Sequence, residues 1–167
     1  MQKKINKADW IHQKILSPEA LAHKANMWRA SGKKIVFTNG VFDILHQGHL
    51  TYLAQAASCG NVMVIGVNAD ASVKRLKGDE RPVTHENDRL FQLASLLVVD
   101  AVCLFEEDTP KELIELVKPD VLAKGGDYSI ETIVGADFVQ KNGGQVVVIP
   151  FVGGYSTTSI IERIKKL

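Results

Sequence analysis

Short, almost continuously apolar runs alternate along this chain of 167 residues with longer stretches of helical periodicity. Five such runs cover residues 34–38, 62–67, 101–105, 121–124 and 145–149. Strands that are apolar at nearly every position are typical of sheets covered on both faces. Alternation of strands and helices favours right-handed crossovers between parallel strands. We therefore predict an α/β fold with a doubly wound sheet of five parallel strands.

Ahead of the first run, Ser17-Pro18-Glu19 has the pattern of a helix start, and apolar residues follow at helical spacing until Gly32. No repeat or linker separates this helix from the rest. We expect one Rossmann-like domain over residues 34–167, preceded by an N-terminal helical extension over residues 1–33.

Charge and hydropathy exclude several classes of partner. The net charge is only +1, so no bulk electrostatic attraction favours nucleic acid or an acidic membrane. No stretch reaches the roughly 18 apolar residues of a membrane span, and the N-terminus lacks a signal-peptide core. The two cysteines, Cys59 and Cys103, have no metal-ligand or redox spacing. We expect a cytoplasmic protein that binds neither nucleic acid nor membrane.

In an open parallel sheet, ligands bind beyond the carboxyl ends of the strands. The first of these loops runs TNGVFDILHQGH and places His46 and His49 around Gly48 at the start of a helix. Residues three apart share a helix face, and a helix N-terminus attracts anions. An anion site is therefore favoured over a zinc site, which lacks a third ligand at recognisable spacing. Either histidine alone would more often be an ordinary surface or core residue.

Two further loops carry candidate ligand-binding residues. Ser156, Thr157 and Thr158 open the last amphipathic segment, where hydroxyls and free amides suit phosphate. A capping box of Ser159 with Glu162 explains the same residues structurally. The loop KGGDY, residues 124–128, places glycines and an acid at a strand end, although a tight turn has the same composition.

The motif Gly-Val-Phe-Asp-x-x-His-x-Gly-His after a first strand resembles the nucleotidylyltransferase superfamily. Within it, the chain is most similar to the enzymes that adenylylate D-glycero-β-D-manno-heptose 1-phosphate. The phrases that carry this likeness are TNGVFDILHQGH, NADASVKRLKGDERP, FEEDTP, KGGDY and YSTT, over residues 34–167. Val41 stands where a cysteine is common in that family. The chain lacks the sugar-kinase domain often fused to this module, so the resemblance implies a stand-alone form.

The resemblance implies a reaction of ATP with heptose 1-phosphate that yields ADP-heptose and pyrophosphate, with Mg²⁺ bridging phosphate oxygens and no dedicated metal site on the protein. It also implies a homodimer. Two alternatives stay open: a cytidylyltransferase for a polyol or amino-alcohol phosphate, and a non-catalytic nucleotide sensor.

The resemblance also assigns roles to individual residues. The implied catalytic residues are His46, His49, Lys77 and Arg89. The implied nucleotide-binding residues are Thr38, Asn39, Gly40, Val41, Phe42, Gly48, Gly125, Asp127, Ser156, Thr157 and Thr158. Asp70, Lys124 and Tyr128 are expected to bind the sugar phosphate, and Asp43 to brace the turn. The charge run with Lys74 and Arg75 is typical of a solvated face, and the structural alternative for Arg89 is a helix-surface ion pair with an acid such as Glu86.

Overall fold

One parallel sheet of six strands forms the centre of the molecule in the computed structural model, which describes residues 6–126, 128–150 and 153–167. The elements are, in order, α1 (Lys7–His12), β1 (Ile15–Leu16), α2 (Pro18–Ala30), β2 (Ile35–Gly40), α3 (Gln47–Ala57), β3 (Val62–Asn68), α4 (Asp70–Lys77), α5 (Glu86–Ala94), β4 (Ala101–Phe105), α6 (Lys111–Val117), β5 (Val121–Gly125), a 3₁₀ turn (Ile130–Thr132), α7 (Ala136–Lys141), β6 (Gln145–Ile149) and α8 (Thr157–Ile164).

The predicted doubly wound α/β fold is confirmed, but the predicted number of strands is wrong. The sheet order is β1-β4-β3-β2-β5-β6, and the sixth strand is the edge strand β1. Ile15 and Leu16 of β1 pair with Val102 and Cys103 of β4. Two residues are too few to give a periodic apolar signal, so the sequence pattern could not reveal this strand.

The strand order reverses at β2, which lies between β3 and β5. The chain proceeds from β2 outward to β3 and β4 on one side, and then crosses back to β5 and β6 on the other. The loops that follow β2 and β5 therefore diverge, and they leave a crevice beyond the carboxyl ends of these strands.

Helices cover both faces of the sheet. On one face, Leu21 of α2, Ile114 of α6 and Val139 of α7 are fully buried in one apolar cluster. On the other face, Leu53 of α3 and Leu93 of α5 are fully buried in a second cluster. Each such side chain contributes about 1.5–3 kcal/mol by leaving water. This packing fixes the sheet and hence the positions of the loops at its carboxyl edge.

The segment before β2 packs into the same core. Ser17 caps α2 by accepting a hydrogen bond from the Ala20 N–H at 3.2 Å, as its sequence pattern indicates. Leu21 and Ala25 of α2 are fully buried against the sheet. The division of the chain between residues 33 and 34 stays a prediction.

The longest helix, α2, has 13 residues. A membrane-spanning helix needs about 20 residues. Accordingly, no helix in the described part of the chain has the length and hydropathy to cross a bilayer.

Candidate active site

A cleft with a volume of about 480 Å³ lies beyond the carboxyl ends of β2 and β5, where the strand order reverses. Its walls come from the ends of three strands, β2, β3 and β5, with the segments that follow them, and from the start of α8. The lining residues are Asn39, Gly40, Val41, Phe42, Asp43, His49, Tyr52, Asn68, Leu76, Lys77, Arg81, Lys124, Gly125, Tyr128 and Thr157. Ten of the predicted site residues are among them.

The loop after β2 reaches the cleft through an unusual backbone turn at Phe42. Its φ of +50° lies in the left-handed region, which costs a non-glycine residue about 1–2 kcal/mol. The ring is buried and meets the His49 ring edge-on, with 5.4 Å between centroids. A Cβ on Gly40 would lie 3.0 Å from the Phe42 ring, so glycine makes room for it. The turn thus brings Phe42 against His49 and Asp43 to the loop after α4.

The two histidines form a stacked pair at the start of α3. Their ring centroids lie 3.9 Å apart with 20° between the ring planes. His46 is the N-cap residue, and its Nδ1 accepts the backbone N–H of His49 at 3.4 Å. An accepting Nδ1 carries no proton, so the proton of neutral His46 resides on Nε2. His46 is thereby assigned as a hydrogen-bond donor through Nε2.

His49 itself lines the cleft. Its Nδ1 is buried and has no hydrogen-bond partner of regular geometry among the described residues. Burial, then His46 and Lys77, lower the pKa of His49 to about 4, although the Ile44 carbonyl acts in the opposite direction. Burial also lowers the pKa of His46. Both rings are therefore neutral at pH 7 and serve as neutral donors rather than as cations.

We predict that the free energy of unfolding decreases as the pH falls from about 6.5 towards 4. In this window the unfolded chain binds a proton at His49, whereas the folded chain does not, so protonation favours unfolding. The contribution is complete above pH 6.5 and is lost towards pH 4. Urea denaturation of the wild type and of His49→Gln at several pH values measures it. The loss of unfolding free energy per pH unit should be smaller in His49→Gln than in the wild type. It should be unchanged in His23→Gln, because His23 is exposed. An equal pH dependence in all three proteins would contradict the assignment.

Asp43 ties the loop after α4 to the loop after β2. Its Oδ1 accepts the N–H groups of Val83 and Thr84, both at 2.8 Å, and its Oδ2 accepts Nε of Arg81 at 2.6 Å. Burial alone would raise the pKa of Asp43, but the Thr84 and Val83 amides and Arg81 together hold it below its usual value. The carboxylate therefore braces both turns, and it places Arg81 at the cleft, which the sequence pattern did not predict.

The structure does not bring Arg89 into the cleft, and this departs from the role that the resemblance implied. Arg89 is fully buried in α5. Its Nε donates to the Thr84 carbonyl at 3.0 Å, Nη1 to the Val41 carbonyl at 2.6 Å, and Nη2 to the Asn68 carbonyl at 2.8 Å. All three nitrogens of the guanidinium therefore take part in fixing the backbone behind the cleft.

Asp70, expected to bind the sugar phosphate, is engaged in the same network. Its Oδ1 accepts Nη2 of Arg89 at 2.7 Å, and Oδ2 lies 3.3 Å from Nδ1 of His85. Burial alone would raise the pKa of Asp70, but Arg89, the backbone amide of Glu86 and His85 together hold this pKa below its usual value. In this arrangement the carboxylate of Asp70 binds Arg89 and not a ligand.

The carboxyl end of β5 contributes a half-buried lysine. Nζ of Lys124 lies 5.7 Å from the centre of the Tyr128 ring, and burial lowers the pKa of this lysine. Both side chains and Gly125 line the cleft.

Thr38 does not line the cleft, because it is fully buried and its hydroxyl is 2.5 Å from the Tyr52 hydroxyl, which donates to the Ala123 carbonyl. Asp127 lies outside the described residues.

The start of α8 meets the start of α3 at the cleft. Ser156 caps α8, and its Oγ accepts the N–H of Ser159 at 3.0 Å. The cap is therefore Ser156 and not the alternative box of Ser159 with Glu162. Thr157 lines the cleft, whereas Thr158 is exposed in the first turn.

Tyr155 joins the two helix starts. Its hydroxyl donates to Oε1 of Gln47 at 2.8 Å, and its ring lies parallel to that of His46 at 6.3 Å. A Cβ on Gly48 would lie 3.0 Å from Cβ of Tyr155 and 3.1 Å from the His46 ring. The space above Gly48 is thus occupied by protein side chains, although the resemblance implied that Gly48 binds the nucleotide.

The charged groups around the cleft suit an anion. Of the residues that the structure describes, Lys77, Arg81 and Lys124 line it together with a single carboxylate, Asp43, which is already bound to Arg81. Among the described residues, no three His, Cys, Asp or Glu side chains are grouped to hold a metal ion. The stacked imidazoles also do not converge as chelating ligands would. The chain is nearly neutral overall, so local geometry supplies this positive site.

Several cleft residues were not predicted from the sequence, namely Tyr52, Asn68, Leu76 and Arg81. Arg81 follows Lys77 closely in one loop, and this spacing was the available signal for it. Asn68 ends β3 next to β2, so its place in the sheet order identifies it only once that order is known.

Comparison with known proteins identifies the family of this chain. The profile described as cytidylyltransferase-like matches residues 37–163. The bifunctional protein HldE of Marinomonas sp. is 55% identical over 149 residues, which make up 89% of this chain and 31% of that protein. HldE of Nitratiruptor sp. is 58% identical over 134 residues, 80% of this chain and 28% of the relative. The chain thus spans about a third of the length of these curated relatives.

Solved structures give the same result. A lipopolysaccharide core biosynthesis protein from Thermoplasma volcanium is 33% identical, with a TM-score of 0.58 over 72% of this chain and 98% of that chain. A pantoate–β-alanine ligase from Francisella tularensis shares the fold, with a TM-score of 0.59 at 14% identity over 92% of this chain and 78% of the other. The chain belongs to the cytidylyltransferase-like family of nucleotidyltransferase enzymes.

Proposed function

We propose that this chain transfers the adenylyl group of ATP to D-glycero-β-D-manno-heptose 1-phosphate, forming ADP-heptose and pyrophosphate for lipopolysaccharide core synthesis. One observation carries the proposal. A neutral histidine, three cationic side chains and the start of α8 line one cleft at the switch point of the sheet. A bifunctional protein HldE and a lipopolysaccharide core biosynthesis protein among the relatives support this choice of pathway.

The reaction needs positioning more than acid–base chemistry. A phosphate oxygen of the acceptor attacks the α-phosphorus of ATP in line, and the bond from this phosphorus to the bridging oxygen breaks as pyrophosphate leaves. The attacking oxygen is already anionic at neutral pH, so no general base is required. Catalysis then depends on alignment and on stabilising the charge that shifts to the leaving group.

The residues of the cleft divide this work. His49, assisted by the stacked His46, donates a hydrogen bond to the α-phosphoryl oxygens or to the leaving group. Lys77 stabilises the negative charge on the phosphates from the end of α4. Thr157 and the free amides of α8 bind phosphate oxygens at the positive end of the helix dipole.

The rest of the nucleotide lies against the backbone and the β5 loop. Residues 39–42 border it, Gly125 allows close approach, and Asp127 is proposed to hold a ribose or sugar hydroxyl. Arg89 keeps a part in this proposal as a positioning residue, because it holds the carbonyls of Val41 and Asn68 behind the cleft.

The donor set fits a magnesium ion that arrives with the nucleotide. Asp43 and Asp70, the carboxylates at and behind the cleft, are already paired with arginines. Mg²⁺ would therefore be held by phosphate oxygens, where it would neutralise part of their charge. A homodimer stays a prediction.

The experiment that tests the proposal is a matrix of nucleotides and acceptors. ATP and CTP are each combined with D-glycero-β-D-manno-heptose 1-phosphate, glycerol 3-phosphate and phosphoethanolamine, and pyrophosphate release is measured. We expect the highest kcat/KM for ATP with the heptose phosphate. Preference for CTP with glycerol 3-phosphate or phosphoethanolamine would support the second candidate, which the family profile favours by its description. Nucleotide binding without pyrophosphate release for any pair would indicate a sensor.

A further inference from the structure

The cleft has two flanks, one on each side of β2. On the β5 side it is lined by Lys124, Gly125, Tyr128 and, from α8, Thr157. On the β3 side it is lined by Asn68, Leu76, Lys77 and Arg81. A transfer between two phosphate-bearing substrates requires two adjacent anion subsites, because both substrates must be bound before one attacks the other.

The two flanks differ in what they offer an anion. The β5 side provides a helix start and a glycine that allows close approach, which suit the polyphosphate of the nucleotide. The β3 side provides side-chain cations on a loop held in place by Asp43. The second substrate, the acceptor, therefore has the β3 side available to it.

Arg81 is held in a way that leaves part of its guanidinium free. Its Nε donates to Oδ2 of Asp43 at 2.6 Å, and Asp43 is itself fixed by the amides of Val83 and Thr84. The two Nη atoms of Arg81 have no hydrogen-bond partner within residues 6–126, 128–150 and 153–167. The side chain is only 17% exposed, and it lines the cleft.

The neighbouring arginines provide a contrast. Arg89 uses Nε, Nη1 and Nη2 on backbone carbonyls and Asp70. Arg75 is bound to Asp108 and to the Glu106 carbonyl at an exposed site, and it does not line the cleft. Of these three, Arg81 is the one that lines the cleft with open nitrogens. A planar pair of N–H donors matches two oxygens of a phosphate.

We propose that Arg81, oriented by Asp43, binds the phosphate of the acceptor, a sugar 1-phosphate monoester, on the β3 side of the cleft. Two phosphate oxygens accept from the free Nη atoms, and the third is left to attack the α-phosphorus of the nucleotide. Lys77 at the end of α4 shares the charge between the two substrates. This inference rests on the proposed function for the identity of the acceptor, but it concerns a separate residue.

The test compares Arg81→Lys and Arg81→Ala with Arg75→Ala, which removes an arginine of the same region outside the cleft. KM values for D-glycero-β-D-manno-heptose 1-phosphate and for ATP are measured by pyrophosphate release. We expect Arg81→Ala to raise the acceptor KM by about tenfold or more and to leave the ATP KM within about twofold, since it removes charge-assisted hydrogen bonds to the acceptor phosphate alone. Arg81→Lys should be intermediate because it retains charge without the planar fork. Arg75→Ala should match the wild type.

A rise in the ATP KM in place of the acceptor KM would overturn the inference, and so would an unchanged acceptor KM in Arg81→Lys. Calorimetric binding of heptose 1-phosphate and of inorganic phosphate to the nucleotide-free chain provides a readout that needs no turnover. If the wild type releases no pyrophosphate, the proposed function fails, while loss of phosphate binding in Arg81→Ala still supports the subsite. Equal binding by the wild type and Arg81→Ala, or none to the wild type, would overturn it.

Discussion

Replacement of His49 by alanine is expected to lower kcat by about 100- to 1000-fold, the usual cost of removing one donor that stabilises transition-state charge. The ring lines the cleft, and its neutral state at pH 7 makes it a donor rather than a fixed cation. Because its interaction with phosphate strengthens as charge moves to the leaving group, the loss should appear in kcat more than in the KM for ATP. Pyrophosphate release under saturating substrates measures the effect.

His49→Gln and His23→Ala are the matched variants. Glutamine retains an N–H donor at similar reach, so part of the activity should persist, whereas His23 is exposed on α2 and its loss should leave kcat unchanged. The fold should survive in His49→Ala, since the partly buried ring contacts mainly Phe42 and His46. Near-wild-type kcat in a folded His49→Ala protein would refute the catalytic assignment.

The sequence was sufficient for the parts of this protein that rest on local patterns. Apolar runs predicted the five longer strands, and Ser17 with Pro18 predicted the start of α2. Helical periodicity over residues 130–140 predicts one helix there, and the structure confirms it only in part. Gly135, with φ of +86°, separates a 3₁₀ turn from α7, and a Cβ there would lie 2.6 Å from Cδ1 of Ile114. That contact spans distant parts of the chain, so no local pattern contains it.

The same difference between local patterns and long-range contacts explains which site residues could be predicted. The histidine pair was recognisable because both residues lie in one helix turn, and the structure places them together. Arg89 and Arg81 were harder to distinguish, because both arginines follow Lys77 closely in the sequence. Their hydrogen bonds to Val41 and Asp43, more than 35 residues away, decide that Arg89 is buried behind the cleft while Arg81 lines it. Burial and long-range partners separate a structural arginine from a ligand-binding one, and neither is encoded in the spacing.

Arg89→Met should therefore act on stability first, with an expected loss of about 3–5 kcal/mol in the free energy of unfolding. Methionine fills much of the volume but leaves the carbonyls of Val41, Asn68 and Thr84 without a donor and the carboxylate of Asp70 without its cation. Each buried unsatisfied group costs about 1–3 kcal/mol. For a chain of this size the loss corresponds to a decrease in Tm of roughly 6–20 °C.

Arg75→Ala is the control, because it removes an arginine whose ion pair with Asp108 is exposed on both sides and contributes at most about 1 kcal/mol. Arg89→Lys should recover only part of the loss, since an ammonium group cannot reach carbonyls in three directions from one position. Thermal and urea unfolding are compared with the KM for ATP. A stable Arg89→Met protein whose ATP KM rises sharply would show that this arginine contacts phosphate, as the resemblance implied. A destabilised protein with little change in ATP KM would establish that Arg89 acts by holding the ends of β2 and β3 in register behind the cleft.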